Sequence, residues 1–516
     1  MSKRQRQQAV GGETNVPMAP ASLARAISFL LLGALLLAGC ASSASTTPPP
    51  AATHTAGPIP PVPAGTLWPM FAFDASHSGV NPNGGALTPT NVGQLHRLWQ
   101  VALPAVADSA PIFLAGVPLP NGSSRDLLFQ MTREGRLLAL DAGNGSILWS
   151  RQPRGPKITH SGPVADPSGR FVYAYGLDGY EHKYAVAGGD EVTSGGWPVQ
   201  VTRMTGTEKE SSNPTVAGGR LYVTTSGYIG DAPPYQGHVV TITLADAHSA
   251  VFNSLCSDQT RLLGPDDCAE EQSGIWARAG VTVDPATGNI FFVTGNGTFD
   301  GRHNWGDSVL ELDATGTRLL DSYTPTNFQA LDDQDADLGS AAPALLPAIP
   351  NSKTPDLLVQ GGKDGILRLL DRRNLSGQGG PGHVGGELQT LDTGCGLFTQ
   401  PVVEGSASSG VWVYTASQCA LSAYRVVSDA SGVTRLQHAW SADVRATTPV
   451  LAGGVLYAAT DGSLIAFDPH SGRRLWQSDQ PSVGGSIGSV HWQSLIVAGG
   501  RLYCADENGH LTAYGL

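Results

Sequence analysis

The chain has 516 residues and a formal net charge of −12, with 31 Lys and Arg against 43 Asp and Glu. This acidic balance, without a basic stripe, excludes nucleic acid as a partner. Its 65 Gly, 36 Pro and 14% charged residues favour many short strands and tight turns over long helices.

The N-terminus has the pattern of an export signal. Arg25 precedes an apolar run, residues 26–38, which is too short to span a bilayer. The run ends in Leu37-Ala38-Gly39-Cys40, which resembles a bacterial lipobox. The resemblance implies cleavage before Cys40 and acylation of its thiol, so a lipid would hold the protein on a membrane. A plain secretory signal with an incidental Cys40 is the alternative.

We predict three segments: a signal peptide over residues 1–39, a tether over 40–66 and a folded domain over 67–516. The tether is predicted from its Ser, Thr and Pro content. Removal of the signal, which carries a net charge of +3, would lower the formal charge from −12 to −15. The start is Met1 or Met18. The expected location is the bacterial cell envelope, on the periplasmic side of a membrane or on the outer membrane.

The folded domain shows its pattern most clearly in residues 453–476, GGVLYAATDGSLIAFDPHSGRRLW. Alternating residues from Val455 to Thr460 and then residues 464–467 read as two strands. Asp461-Gly462 is predicted to join them in a type I′ turn. A third strand follows and ends at Trp476. One such unit cannot bury both faces of its sheet, so it must stack on copies of itself.

The pattern occurs in eight copies. The seven other copies include stretches that begin at Leu128, Gly162, Asn213, Val281, Asp356, Gln400 and Ser494. The last copy stops one strand short, and the strand predicted over Leu95 to Leu103 can complete it. Closing the ring in this way removes an open sheet edge. We therefore predict an all-β fold: an eight-bladed β-propeller whose N-terminal strand closes the last blade.

The repeat resembles the pyrroloquinoline-quinone (PQQ) type repeat. Ala139-Leu140-Asp141 with Leu148-Trp149 carries the resemblance, as does Ala466-Phe467-Asp468 with Leu475-Trp476. The resemblance covers about 95–516 and implies the fold, which quinoprotein dehydrogenases share with BamB-type lipoproteins of outer-membrane assembly. Four tryptophans at one repeat position are predicted to anchor blade packing: Trp99, Trp149, Trp440 and Trp476.

Propeller geometry places the loop before each inner strand and the turn between its second and third strands on one face. The polar side chains expected there are those of Asp108, His160, Glu208-Lys209-Glu210, Arg278, Asp332 to Asp337, and Lys363. Cys395 and Cys419 fall on the same face, so we predict that they pair. Cys256 and Cys268 bracket a polar loop and form the second predicted disulfide. Cys504 lies in a strand and is predicted to be a buried thiol.

The quinoprotein resemblance implies roles for several of these residues. Asn296 in TGNG matches a calcium ligand, and Lys363 matches the lysine that contacts the quinone. An aspartate just before the inner strand of blade five would be the catalytic base. The implied candidates are Asp333, Asp335 and Asp337 as bases, Asn296, Asp335 and Asp337 as metal ligands, and Lys363, Arg278 and Trp276 as cofactor contacts.

The chain also departs from that family. The adjacent Cys-Cys pair of the quinoprotein family is absent from this chain, and the family's Trp-Asp is replaced by DDQDADLGS from Asp332. Trp276 is out of register with the aromatic floor that the family places under the cofactor. The structural alternatives are a hairpin turn at Lys363-Asp364-Gly365, a turn at Asn296 and a solvated acidic loop.

We therefore expect a monomeric, lipid-anchored binding or scaffold protein at the cell envelope. Its partner would be an envelope protein or a small molecule at the channel face. The alternative is an alcohol or sugar dehydrogenase that uses PQQ and calcium in a divergent pocket.

Overall fold

The computed structural model describes residues 67–155, 157–228 and 232–516, all within the compact unit Ile59–Leu516. The predicted signal peptide, Cys40 and the tether lie outside these residues. Eight sheets of at least four strands form a ring, which confirms the predicted eight-bladed propeller.

The strands follow the predicted order through the first half of the chain. Three strands precede the repeats: β1 Leu67–Trp68, β2 Val80–Asn81 and β3 His96–Ala102. Blade 1 contains β4 Ile112–Pro118, β5 Ser124–Met131, β6 Leu137–Asp141 and β7 Ile147–Arg151. Blade 2 contains β8 Val164–Ala165, β9 Phe171–Gly176, β10 Tyr180–Ala185 and β11 Val199–Gln200. Blade 3 contains β12 Glu208–Glu210, β13 Thr215–Ala217, β14 Arg220–Gly227, β15 His238–Thr243 and β16 Ser249–Asn253. Blade 4 contains β17 Thr282–Val283, β18 Ile290–Val293, β19 Val309–Leu312 and β20 Leu319–Tyr323.

The second half completes the ring. Blade 5 contains β21 Ala344–Leu345, β22 Leu357–Gln360, β23 Ile366–Asp371 and β24 Gln389–Asp392. Blade 6 contains β25 Val402–Ser406, β26 Gly410–Ala416, β27 Leu421–Ser428 and β28 Thr434–Ala442. Blade 7 contains β29 Val450–Ala452, β30 Val455–Thr460, β31 Ser463–Phe467 and β32 Arg474–Gln477. Blade 8 contains β33 Ile496–Ala498, β34 Arg501–Ala505, β35 His510–Gly515 and the early strand β3.

Helical structure is sparse. The short helix α1 spans Phe328–Gln334, and single 3-10 turns cover Val92–Gln94, Leu338–Ser340 and Pro481–Val483. Across the described parts of the chain, no helix has the length and apolar character needed to span a membrane.

The ring closes between the two ends of the folded domain. Strand β3 pairs antiparallel with β35, from His96 opposite Gly515 to Ala102 opposite His510. The rings of Trp99 and Tyr503 lie 5.9 Å apart between centroids. The predicted closure of the last blade by an N-terminal strand is therefore confirmed.

The reference hairpin of blade 7 has the predicted register, with Thr460 opposite Ser463. Its turn is not type I′, however. Gly462 has a φ of 84°, while Asp461 is not among the residues with positive φ. Type I′ requires positive φ at both positions, so the predicted hairpin is right and its turn type is wrong.

The four repeat tryptophans connect blades 8, 1, 6 and 7 to the blade that follows each of them. Their indole N–H groups donate to backbone carbonyls of the following repeat: Trp99 to Ala142, Trp149 to Val186, Trp440 to Pro469 and Trp476 to Leu95, at 2.8 to 3.3 Å. The indole rings of Trp99, Trp149 and Trp440 cover glycines of the next repeat. A Cβ at Gly189 or Gly472 would lie 2.7 Å from a ring carbon of Trp149 or Trp440. These glycines are required by the close approach.

A segment that we call the plug, residues 67–83, fills the channel at the level of the inner strands. Strand β1 pairs with β4 of blade 1, and β2 pairs in parallel with β29 of blade 7. Further hydrogen bonds from the plug reach blades 2, 3, 4, 6 and 8, at Ala165, Thr215, Val283, Val403 and Val497. The plug thus satisfies the inner strand edges, which would otherwise line an open channel. No pattern in the sequence predicts the plug.

His77 is the polar centre of the plug. Its side chain is fully buried. Nδ1 lies 2.7 Å from the carbonyl oxygen of Phe71, and Nε2 lies 2.8 Å from Thr215 Oγ1 and 3.0 Å from the carbonyl oxygen of Val281. Burial lowers the pKa of His77, so the ring is neutral in the folded protein.

We expect His77→Leu to lower the free energy of unfolding by about 2–4 kcal/mol at neutral pH, because it leaves buried polar partners of the ring, such as the Phe71 carbonyl oxygen, without a hydrogen bond. The difference from the wild type should shrink as the pH falls below about 6.5, because the unfolded state then binds a proton that folded His77 refuses. Denaturant titrations at several pH values measure this effect. His303→Leu, at an exposed position, is the matched control. A constant difference across pH would contradict this account of His77.

Candidate functional site

The mouth of the propeller is formed by loops before the inner strands and by turns between second and third strands. Two cavities open there, and they share Arg278, Phe398 and Trp492. The first cavity, of about 190 Å³, lies among blades 6, 7 and 8. The second cavity, of about 170 Å³, lies among blades 2, 3, 4 and 5.

Many of the residues expected on this face do line the mouth. The second cavity is lined by His160, Lys209, Trp276, Arg278, Asp337 and Lys363. Trp276 therefore lines the same cavity as Lys363, although by the sequence it is out of register with the aromatic floor. Glu208 and Glu210 differ from expectation because strand β12 turns alternate side chains to opposite sides. Both glutamates are fully buried behind the mouth.

Asn296, Asp335, Asp337 and Lys363 form one contact cluster, which we call the blade 4–5 cluster. The ammonium of Lys363 lies 2.6 Å from Asp337 Oδ2 and 2.8 Å from Asp335 Oδ1. The backbone N–H of Asn296 donates to Asp337 Oδ1 at 2.8 Å, and its side-chain amide donates to Asp335 Oδ1 at 3.0 Å. A Cβ at Gly295 would collide with the Asp337 carboxylate. In the TGN sequence, Gly295 therefore leaves room for the Asp337 carboxylate and Asn296 binds it.

The Lys363 side chain is held in place by its ion pairs with Asp335 and Asp337, and not only by the hairpin turn in which it lies. Burial by itself would lower the pKa of Lys363, but the Asp337 carboxylate outweighs burial and raises the pKa above its usual range. The ammonium is charged at every physiological pH and stays attached to Asp337.

The remaining aspartates of this stretch lie elsewhere. Asp332 and Asp333 are on α1, and the exposed Asp333 accepts a weak hydrogen bond from Gln329 at 3.4 Å. Asp307, which sequence analysis missed, lies below the cluster and accepts the N–H of Leu338 at 2.9 Å. Burial, together with the nearby Asp337 carboxylate, raises the pKa of Asp307 to about 8.

The blade 4–5 cluster does not fit a calcium ion. Both oxygens of Asp337 are already used, one by Lys363 and one by Asn296. Among the predicted ligands, Asn296 Oδ1 is the buried oxygen without a hydrogen-bond partner in the described residues. Calcium takes six to eight oxygen ligands. The Lys363 ammonium supplies the positive charge that the metal would bring, so we derive no step that uses calcium and a quinone.

A second polar cluster surrounds Asp108 at the edge of the mouth. Its Oδ2 lies 2.7 Å from Nδ1 of His160, 3.1 Å from Nη2 of Arg133 and 3.4 Å from Nδ1 of His491. Burial would raise the pKa of Asp108, but hydrogen bonds from the two histidines outweigh it and hold the pKa far below its usual range. Burial lowers the pKa of His160 to about 4, so its ring is neutral at pH 7.

Buried carboxyl groups lie behind this cluster. Ser161 Oγ donates to Glu210 at 2.8 Å, and His238 Nε2 lies 3.1 Å from Glu208. Burial raises the pKa of Glu210 to about 8. Burial and the adjacent Glu210 also raise the pKa of Glu181. Glu210 is therefore mostly uncharged at pH 7 and contributes little negative charge to the mouth.

An aromatic pair separates the two cavities. The rings of Phe398 and Trp492 lie 6.2 Å apart between centroids. The Cys395–Cys419 disulfide joins the loop that contains Phe398 to the turn between β26 and β27 of blade 6. The Cys256–Cys268 disulfide closes a loop between β16 and β17. Cys504 is a buried free thiol.

Sequence analysis did not name Phe398, Arg445, His491 or Trp492. All four precede inner strands of blades 6 to 8, so the loop rule applied to every blade would have found them.

Comparison with known proteins assigns the chain to a family. The family profile described as outer membrane protein assembly factor BamB matches residues 85–249 and 378–516, more than half of the chain. The BamB of Salmonella typhimurium is 36% identical over 88 residues, and that of Escherichia coli is 35% identical over 88 residues. Each alignment covers 17% of this chain and 19% of the relative, so the chain matches about a fifth of the length of these curated relatives.

Solved structures share the fold. Quinohemoprotein alcohol dehydrogenase from Comamonas testosteroni superposes with a TM-score of 0.62 at 15% identity, over 87% of this chain and 80% of that one. A europium-containing methanol dehydrogenase superposes with a TM-score of 0.61 at 14% identity, over 87% and 98%. At these identities the likeness concerns the fold alone.

We expect calcium to leave the thermal midpoint of the wild type unchanged, because Lys363 already neutralises Asp337. Lys363→Met should lower stability by about 3 kcal/mol, because it leaves buried negative charge unpaired. Calcium should then restore part of the loss. Thermal unfolding in calcium and in chelator measures both, with Lys353→Met on an exposed lysine as control. A wild type that calcium stabilises, with the effect lost in Asn296→Ala, would show that the blade 4–5 cluster does bind calcium.

Proposed function

Because the chain belongs to the family described as outer membrane protein assembly factor BamB, we propose that it is a binding or scaffold propeller of the cell envelope. In this proposal it is exported and lipid-anchored, and it presents its mouth to an envelope protein without catalysing a reaction.

The observation that carries the non-enzymatic proposal is the ion pair of Lys363. A carboxylate that is paired with an ammonium is a weaker base, and a metal ion would have to displace that ammonium. Asp337, the candidate base that lines the cavity, gives both oxygens to Lys363 and Asn296. Its role is to hold blades 4 and 5 together at the mouth.

The mouth has the composition of a protein-binding surface. Trp492, Phe398 and Arg445 stand around the first cavity, and Trp and Arg are the residue types that most often dominate binding energy. Hydroxyl and amide side chains surround them and can form a polar rim: Thr399, Ser417, Gln418, Thr447, Thr448 and Ser494.

A PQQ-dependent alcohol or sugar dehydrogenase remains the second candidate. The observation in its favour is that Lys363, Arg278 and Trp276 line one cavity. The occupied oxygens of the blade 4–5 cluster count against it.

The anchor is tested at Cys40. Cys40→Ala should abolish incorporation of a labelled fatty acid and move the protein from the detergent phase to the aqueous phase, because the acyl chain supplies the membrane affinity. Ser43→Ala is the matched control and should remain acylated. Labelling of Cys40→Ala at the wild-type level would show that the lipobox interpretation is wrong.

The partner surface is tested by photo-crosslinking in cells. A photoreactive residue at Gln418, exposed on the rim of the first cavity, should give a covalent adduct with an envelope protein. The same residue at Gln437, exposed on the outer strand β28, should not. Immunoblotting and mass spectrometry detect and identify the adduct. Adducts from Gln437 alone would move the partner to the blade edge.

A further inference from the structure

Arg278 is a charged side chain buried at the point where the two cavities meet. It is 6% exposed and lines both of them. Its guanidinium donates only to backbone carbonyls, those of Ser211, His160 and Asp108. Its Nε has no hydrogen-bond partner among the described residues. No carboxylate of the described chain forms an ion pair with it.

The nearest carboxyl groups are committed to other partners. Asp108 is held by Arg133 and His160, at 3.1 and 2.7 Å. Glu210 accepts a hydrogen bond from Ser161 and is mostly uncharged, as described above. Arg278 therefore has no direct carboxylate partner among the described residues, and the charge of nearby Asp108 offsets its own only in part. A buried charge in this state is costly, and an anionic ligand would remove the cost.

The first cavity offers a second guanidinium and apolar walls. Arg445 lines it beside Thr447 and Thr448, while Phe398 and Trp492 form flat apolar surfaces. The acidic residue in its lining is Asp461, whose Oδ1 is directed to the backbone N–H of Val490 at 3.4 Å. In a chain with a net charge of −12, the lining of this cavity carries two arginines against one aspartate.

We propose that the first cavity binds, without a metal ion, a carboxylate carried on an aromatic or similarly flat apolar body. Arg278 and Arg445 would hold the carboxylate, and Phe398 and Trp492 would contact the flat body. Guanidinium groups suit this role because they bind carboxylates in the plane of the fork. At about 190 Å³ the cavity is smaller than the roughly 300–1,000 Å³ of pockets for drug-sized ligands, so the ligand is small or is one end of a larger molecule.

The carboxylate could belong to a free small molecule or to the end of a peptide. The shared chemistry is tested with two probes of equal shape, N-acetylphenylalanine and N-acetylphenylalaninamide. Isothermal titration calorimetry uses the mature, detergent-solubilised protein in the presence of EDTA. We expect the acid to bind at least about tenfold more tightly than the amide, and to weaken at high salt. Equal affinities, or no binding of the acid, would overturn the proposal.

Variants locate the site. Arg278→Met and Arg445→Met should each weaken binding of the acid by about tenfold or more. Arg318→Met removes an exposed charge from blade 4 and should leave binding unchanged. Arg445 is exposed, so its variant decides the matter even if Arg278→Met fails to fold. Unchanged affinity in Arg445→Met would reject the assignment to the first cavity. A C-terminal Phe peptide that binds more tightly than the free acid would identify a peptide end as the source.

The metal is tested in the same assay. PQQ, a flat aromatic polycarboxylate, should bind in EDTA if the site works without metal. Binding of PQQ that requires calcium, is lost in Asn296→Ala and is unchanged in Arg445→Met would place the anion in the second cavity, overturn the assignment to the first cavity and support the dehydrogenase instead. This inference goes beyond the scaffold role, and the two fail separately. Crosslinking at Gln418 reports the protein partner whether or not the acid binds.

Discussion

Three junctions between neighbouring blades of this propeller are held by a tryptophan that lies over a glycine: Trp99 over Gly145, Trp149 over Gly189 and Trp440 over Gly472. The indole of Trp149 covers Gly189 and donates to the carbonyl of Val186, and Trp440 makes the equivalent contacts with Gly472 and Pro469. The contact works because a glycine with positive φ exposes its backbone to the ring, where any side chain would collide. It sets the spacing of the blades, and the blade spacing places the loops that make the mouth.

The plug gives the ring its second constraint. Residues 67–83 form hydrogen bonds with the inner strands of most blades, so the channel is filled below the mouth. The fully buried His77 connects blades 3 and 4 through the plug. Because the channel is filled, a ligand or partner that approaches the axis from the mouth meets the two cavities and goes no further.

Charge divides the mouth into two parts. In the second cavity, Lys363 is neutralised by Asp335 and Asp337, and that part is structural. At the boundary with the first cavity, Arg278 is buried with only carbonyl oxygens as partners. Because Lys363 is neutralised, its site has no need of a metal ion. Because Arg278 lacks a carboxylate partner, its site favours an anionic ligand. A scaffold role at the envelope and a small anion-binding cavity are compatible, because a protein partner would contact the rim of the first cavity and an anion would bind inside it.

The sequence by itself determined the blades, the closing strand β3 and the tryptophan anchors, because each depends on local periodicity and on turns that recur along the chain. It also grouped Asn296, Asp337 and Lys363, since propeller geometry assigns their loops to one face. Only the tertiary structure showed that the Lys363 ammonium pairs with Asp335 and Asp337, two of the predicted calcium ligands. It also showed that Glu210 is buried behind the mouth and that the plug fills the channel. These facts depend on which side chains from distant blades meet at the axis, and no local pattern in the chain records that meeting.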